Sequence, residues 1–233
     1  MLLILLYDIS YLWSKIIENM SLEKDEAIEQ YILERIDEEG DLLKRLNRDA
    51  HVNLLRPRML SGRLQGRLLK MFCRLIQPRY ILEIGTYTGY ATLCLAEGAA
   101  DDAEIHTIEV NDELEDFIMR YLHQTKLKDK IHLHLGDAMQ IIPTIDRMFD
   151  LVFIDANKRT YIEYYDLIFD KVRSGGLIIA DNTLWDGKVL EKAKPSDKQT
   201  IGIQEFNDMI AKDDRVEKVI LPIRDGLTLI WKK

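Results

Sequence analysis

From residue 80 onward, five short apolar runs alternate with amphipathic stretches, and this alternation constrains the fold more than any other feature. The runs are YILEI (80–84), IHTIEV (105–110), IHLHL (131–135), LVFID (151–155) and LIIAD (177–181). Helical spacing recurs between them at about 89–97, 113–125, 138–142 and 159–172, and again at 201–211. Strands that are apolar throughout are buried on both faces, as in a parallel sheet between layers of helices. The end of the chain differs. VEKVIL (216–221) and LTLIW (227–231) are joined by PIRDG, whose Asp-Gly pair signals a hairpin. The prediction is an α/β fold with a seven-stranded, mostly parallel sheet, a C-terminal antiparallel hairpin and helices on both faces. Ligands in such sheets bind at the carboxyl ends of the strands.

The strand ends carry the chemistry. The first runs into Glu83-Ile84-Gly85-Thr86-Tyr87-Thr88-Gly89, which is neither G-x-G-x-x-G nor a phosphate loop with its Lys-Ser/Thr pair. Glycines after a strand let backbone approach a ligand closely. Glu83 suits a cationic group such as an amino terminus. The second strand ends in Glu109, where an acid receives ribose hydroxyls in nucleoside-binding α/β folds. The third leads into the tight turn Gly136-Asp137-Ala138. Together these three ends predict a nucleoside cofactor.

The fourth and fifth strands end in Asp155 and in Asp181-Asn182. Two carboxylates and an amide oxygen make a hard oxygen site, suited to Mg²⁺ and also to Mn²⁺ or Ca²⁺, and wrong for structural zinc. The alternative is that they cap the following helices. Lys158 follows Asp155 by three residues. A lysine beside a bound cation can act as a base.

The charge is uneven. The net charge of the 233 residues is −8, with 32 bases against 40 acids. Leu54 to Tyr80 holds seven bases and no acid, so the remaining 25 bases face all 40 acids, for −15. Arg63, Arg67, Lys70 and Arg74 fall on one helical face. Such a stripe could bind phosphates, or its arginines could flank a core helix and pair with the acidic 23–41 segment. Two cysteines, Cys73 and Cys94, are too few for a disulfide scaffold or metal cluster and fit a reducing cytoplasm. The five histidines show no metal-ligand spacing, and His132 and His134 share a strand face as flanking residues.

The N-terminal run MLLILLYDISYLW lacks a basic leader and is interrupted by Asp8. It is too short to span a bilayer. Residues 1–19 read as an extension ahead of a start at Met20, or as a docking helix. Residues 23–41 read as an amphipathic helix on Ile28, Tyr31, Ile32 and Ile36. Gly40 ends it, Asp41 can cap the next helix, and Ser61 can cap a third that Pro78 stops. Residues 1–53 are thus expected to form an N-terminal helical extension and 54–233 the main domain.

ILEIGTYTGYATLCLAEG, HTIEVNDE, GDAMQIIP, FDLVFIDANKRTY, GGLIIADNTLWDGKV and LPIRDGLTLIWKK occur in this order. They resemble the metal-dependent O-methyltransferases related to caffeoyl-CoA and catechol O-methyltransferases, and most of all their small bacterial members. Some of those resemble a tRNA 5-hydroxyuridine methyltransferase instead. The resemblance implies a Rossmann-like methyltransferase fold with S-adenosylmethionine as cofactor, contacted by Met59, Glu83, Gly85, Thr86, Glu109, Ala138 and Asp155. It implies a divalent metal on Asp155, Asp181 and Asn182, Lys158 as general base, and Tyr164 and Trp185 near the substrate. It also suggests a homodimer. The sequence departs from the family at three places. A cofactor-contacting serine is Ala91, the third residue of D-A-D-K is Asn157, and a substrate-facing asparagine of the plant enzymes is Asp186. The last puts a phenylpropanoid-CoA substrate in doubt.

The expected reaction methylates a hydroxyl that has a second oxygen beside it on an aromatic, catechol-like small molecule. A 5-hydroxyuridine in tRNA has the same adjacency and is the alternative substrate. A non-catalytic nucleoside-binding domain is the third reading, disfavoured by intact Asp155, Lys158, Asp181 and Asn182.

Overall fold

The computed structural model describes residues 27–233, so the reading of residues 1–19 lies outside the described residues. The chain divides into two compact units, Met1–Glu38 and Glu39–Lys233. Of the first, residues 27–33 are helical, so the helix read over 23–41 ends at residue 33. Ile28 and Tyr31 are exposed there, and the Arg35 guanidinium lies over the Tyr31 ring.

The second unit begins ahead of the expected boundary at 53/54. Its first helix, α1 (Asp41–Asn53), buries Leu43, Leu46 and Ala50 in the same core cluster as the first strands. Gly40 sits at the N-cap of α1 with no side-chain cap, and Asp41 lies in the first turn. Helix α2 (Gly62–Ile76) follows and ends at Gln77, which takes a left-handed conformation before Pro78. Ser61 occupies its N-cap position but makes no capping hydrogen bond.

The sheet then builds as its apolar runs require. Strands β1 (Tyr80–Ile84), β2 (Glu104–Glu109), β3 (Ile131–Leu135), β4 (Phe149–Ile154) and β5 (Val172–Asp181) are parallel to one another. Strands β6 (Val216–Leu221) and β7 (Leu227–Lys232) form the hairpin, with β7 inserted antiparallel between β5 and β6. The order is β3-β2-β1-β4-β5-β7-β6. The chain reverses direction across the sheet between β1 and β4, and that switch point opens the crevice where α/β sheets bind ligands.

Helices α3 (Tyr90–Gly98), α4 (Glu115–Leu122), α5 (Ala138–Ile141), α6 (Tyr161–Phe169) and α7 (Lys198–Lys212) connect the strands. Two core clusters result. One joins α1, α2, α3 and α4 to the sheet through residues such as Leu69, Leu93 and Ile118. The other joins α6 and α7 through Tyr161, Tyr165 and Phe206. Seven consecutive residues of α3, Tyr90 to Ala96, are buried, so this helix has no solvent face. It can sit that deep because a Cβ at Gly98 would meet the Lys70 carbonyl oxygen at 2.3 Å, and its absence lets α2 close on α3. Each fully buried Leu or Ile in these clusters stabilises the fold by about 1.5–3 kcal/mol.

The basic stripe on α2 lies against α3. Arg67 and Lys70 both pair with Glu97, at 2.9 and 3.0 Å. The acid that neutralises these two is therefore on α3. Cys73 and Cys94 are free and buried, and burial pushes both thiols up to about 12. Among the described residues no helix is long and apolar enough to cross a membrane.

Candidate active site

A cavity of about 880 Å³ opens at the carboxyl ends of β1, β2, β4 and β5. Ten of the residues singled out from the sequence line it: Met59, Gly85, Glu109, Ala138, Asp155, Lys158, Tyr164, Asp181, Asn182 and Trp185. Three do not. Thr86 lines a small adjoining recess, and Glu83 and Asp186 line neither.

The floor is set by the turn after β1. Gly85 has φ +100°, and a Cβ there would meet the Asp155 carbonyl oxygen at 2.0 Å. The backbone of β1 thus crosses that of β4 with room for no side chain. The Gly85 and Thr86 N–H groups both donate to the Ile108 carbonyl, tying the loop to β2.

Glu83 lies below this loop and is fully buried. Its Oε2 accepts from Thr92, and from Thr107 at 2.6 Å, while Oε1 has no partner. Burial, with the nearby charges of Asp155 and Glu109 and against the two threonine bonds, pushes this carboxyl up to about 8. The single Thr107 hydroxyl proton goes to Glu83, so the Thr86 hydroxyl, 2.5 Å from Thr107 Oγ1, donates to it. The Thr86 side chain is therefore turned inward, and what it presents outward is backbone.

Glu109, at the end of β2, is held in place by backbone. Its two oxygens accept from the N–H groups of Tyr87 (2.6 Å) and Asn111 (2.9 Å). A carboxylate has about four acceptor positions, so acceptors remain on the cavity side. Asp137 caps α5 by accepting from the Met139 N–H at 2.9 Å, which fixes Ala138 at the cavity wall.

Asp155 and Asp181 end neighbouring strands β4 and β5. Asp181 Oδ2 accepts from Gln65 Nε2 at 2.6 Å, and Oδ1 accepts from the Asn182 N–H at 2.7 Å. Burial, with the charge of Asp155, pushes the Asp181 carboxyl up to about 7. Asn182 takes φ +58°, an uncommon conformation for a non-glycine residue that turns its side chain back toward the crevice. Its amide nitrogen donates to Asp225 Oδ2 at 3.4 Å, leaving the amide oxygen unengaged by that bond.

Lys158 is almost wholly buried beside them. Its Nζ donates to Asp155 Oδ1 at 2.8 Å and to the Tyr161 hydroxyl at 2.7 Å. Burial works against its charge, but Asp155, Tyr161 and Asp181 outweigh it and hold the ammonium above the ordinary lysine range. The Tyr161 hydroxyl in turn donates to the Asp181 carbonyl at 2.9 Å. Two partners here had no mark in the sequence reading. Gln65 sits among the apolar residues of α2, and Tyr161 reads as one more core aromatic of α6.

The donor set is two carboxylates, one of them strongly desolvated, with an amide oxygen beside them. Such a set could hold a hard divalent cation. The fold places a nucleoside-type crevice directly alongside it.

The O-methyltransferase family profile matches residues 33–233. This chain belongs to the O-methyltransferase family. It is 33% identical over 225 residues to a caffeoyl-CoA O-methyltransferase of Petroselinum crispum, covering 90% of this chain and 92% of that one. Similar structures include the O-methyltransferase TomG of Streptomyces achromogenes, involved in tomaymycin synthesis and solved with S-adenosylmethionine. It is 29% identical, with a TM-score of 0.82 over 89% of this chain and 96% of the other. The methyltransferase PaMTH1 of Podospora anserina, solved with S-adenosylhomocysteine, is 27% identical, with a TM-score of 0.83 over 91% and 96%. The family is S-adenosylmethionine-dependent, and so is this O-methyltransferase.

Proposed function

We propose that this O-methyltransferase is divalent-metal-dependent and methylates a hydroxyl adjacent to a second oxygen on a small, catechol-like aromatic. The observation that carries the proposal is the convergence of Asp155, Asp181, Asn182 and Lys158 in one cavity with the Gly85 loop and Glu109.

S-adenosylmethionine, when bound, supplies an electrophilic methyl group on a sulfonium. Glu109 accepts its ribose hydroxyls through the lone pairs left by Tyr87 and Asn111. The Gly85–Thr86 backbone, Met59, Ala138 and the backbone of Asp155 wall the remainder. Glu83 acts from below, by holding Thr107 and Thr92 and through them the loop.

Asp155, Asp181 and Asn182 are the residues that would hold Mg²⁺, with Mn²⁺ or Ca²⁺ as alternatives, and the bound ion would lower the pKa of a hydroxyl beside it. Lys158 holds or moves the proton. As a neutral amine it can take the hydroxyl proton at Nζ, and as an ammonium it stabilises the oxyanion. It is charged while Asp155 and Asp181 face it uncompensated, so its basic form requires their charge to be met by another cation. Tyr164 and Trp185 offer apolar surface for an aromatic ring. Because charge is annihilated as the methyl moves, positioning contributes most of the acceleration.

The test is methyl transfer to catechols and to 5-hydroxyuridine-containing tRNA, measured side by side with Mg²⁺ and with EDTA. Catechol turnover abolished by EDTA is expected. EDTA-resistant turnover would overturn the metal assignment, and turnover of tRNA alone would overturn the substrate class.

A further inference from the structure

On β2 and β3, beginning at the end of the sheet away from the cavity, four side chains that the sequence spacing did not connect come together. Glu104 opens β2 and His106 follows two residues on, so both project from one face. His132 pairs with His106 across the β2–β3 ladder, and His134 is two residues further along β3. The ring of His106 stacks on both, with centroids 4.8 and 5.2 Å away. His106 Nε2 lies 2.8 Å from Glu104 Oε1, and His132 Nε2 lies 3.7 Å from the same oxygen. These ligand atoms of Glu104, His106 and His132 all fall within 4.8 Å of one another.

We propose that Glu104, His106 and His132 form a second metal site, for Zn²⁺ or a similar borderline divalent ion, distinct from the oxygen site in the active-site cavity. Two imidazole nitrogens and one carboxylate oxygen are a donor set for zinc with an open fourth position, whereas Mg²⁺ and Ca²⁺ take oxygen donors.

Two features fit the set to a metal. The other nitrogen of His106, Nδ1, lies 2.9 Å from His134 Nε2. With Nε2 on the ion, Nδ1–H donates to His134, the kind of buttress that fixes the tautomer of a ligating histidine. The site is also accessible: His132 is 45% exposed, and His106, under Phe149, forms the floor.

The competing cation is Arg147, whose Nε is 3.3 Å from Glu104 Oε1. Its side chain is 41% exposed and lies over the Tyr80 ring, so it can swing clear without opening the core. The location sets the site apart from the chemistry. Glu104 and Glu109 are the two ends of β2, five residues apart, which is about 16 Å of strand.

The test is equilibrium dialysis of the full chain against Zn²⁺ with metal analysis, using D181N to remove the oxygen site. D181N should retain one equivalent of Zn²⁺. Adding H132A or E104Q should lower its Zn²⁺ affinity at least tenfold, and adding R147A should raise it. Co²⁺ bound to D181N should show a four-coordinate visible spectrum that H132A removes. H132A alone, at a half-exposed position, should keep its thermal midpoint and its methyl transfer. Failure of D181N to bind Zn²⁺ while remaining folded by circular dichroism would overturn the proposal. So would equal binding by D181N and D181N/H132A.

Discussion

Gln65 of α2 and Asp181 at the end of β5 are 116 residues apart and joined by a buried 2.6 Å hydrogen bond. The bond ties the helix of the basic block directly to a carboxylate of the candidate metal centre. Its direction is fixed by chemistry, since the carboxylate can only accept while ionised. It opposes the burial and the Asp155 charge that push the Asp181 carboxyl up. Gln65 is thus a positioning residue for Asp181, and it keeps Asp181 more acidic than its surroundings would.

Substituting Gln65→Leu keeps the volume and removes the donor. Asp181 should then protonate at higher pH and hold a divalent cation more weakly. A 10- to 100-fold rise in the Mg²⁺ concentration for half-maximal methyl transfer is expected. A Mg²⁺ titration at two pH values checks this, and the deficit should shrink as pH rises. An unchanged Mg²⁺ requirement would show that the bond has no bearing on the centre.

Gly85→Ala puts a methyl group 2.0 Å from a backbone oxygen at φ +100°. Neither the loop nor β4 can accommodate this without shifting, since the obstacle is main chain and not a flexible side chain. Binding of S-adenosylhomocysteine, followed by calorimetry, should be lost or weakened more than a hundredfold. The thermal midpoint should fall by several degrees, as about 1–3 kcal/mol of backbone strain predicts. Wild-type affinity in the variant would remove the loop from the cofactor site.

These two residues differ in how readable they were. Gly85 follows an apolar strand inside E-x-G-x-x-x-G, so its role is local and period and punctuation reveal it. The same holds for Asp155, Asp181 and Asn182, which end strands whose parallel order brings them together. Gln65 carries no such mark, because its partner lies 116 residues away and a lone polar residue on an apolar helix face is usually a surface residue. The histidines failed for a related reason. His106 and His132 have no ligand spacing along the chain and meet only through the β2–β3 register. The expected boundary at 53/54 missed that Leu43, Leu46 and Ala50 complete the core over the sheet, which an amphipathic pattern alone cannot disclose.

Lys158 is bonded to both Asp155 and Tyr161 and, like Tyr161, is buried, while Asp155 is partly exposed. Lys158→Met removes the cation and leaves the acids uncompensated, which costs about 3–5 kcal/mol for a buried pair. Added Mg²⁺ should restore much of that stability, because it replaces the missing charge. Activity should not return with it. Turnover at saturating substrate should stay 10²- to 10⁴-fold low if Lys158 handles the proton. Thermal melts and turnover measured over the same Mg²⁺ series separate the two roles, and turnover recovering in step with stability would reduce Lys158 to a counter-ion.

Glu83 gives a pH dependence of definite sign. Its carboxyl is raised from 4.5 to about 8 by burial, so the folded protein holds a proton there that the unfolded chain has lost. Where the native state binds more protons, stability falls as pH rises. The contribution is therefore fully present below about pH 4.5 and is lost progressively toward pH 8, at up to about 1.4 kcal/mol for each pH unit. Glu83→Gln keeps a neutral, hydrogen-bonding side chain at every pH. Urea denaturation should show the variant gaining on the wild type steadily between pH 5 and pH 8, with little difference at the acid end. A difference that stays constant across that range would mean that Glu83 is already ionised in the fold, its charge met by the hydroxyls of Thr92 and Thr107.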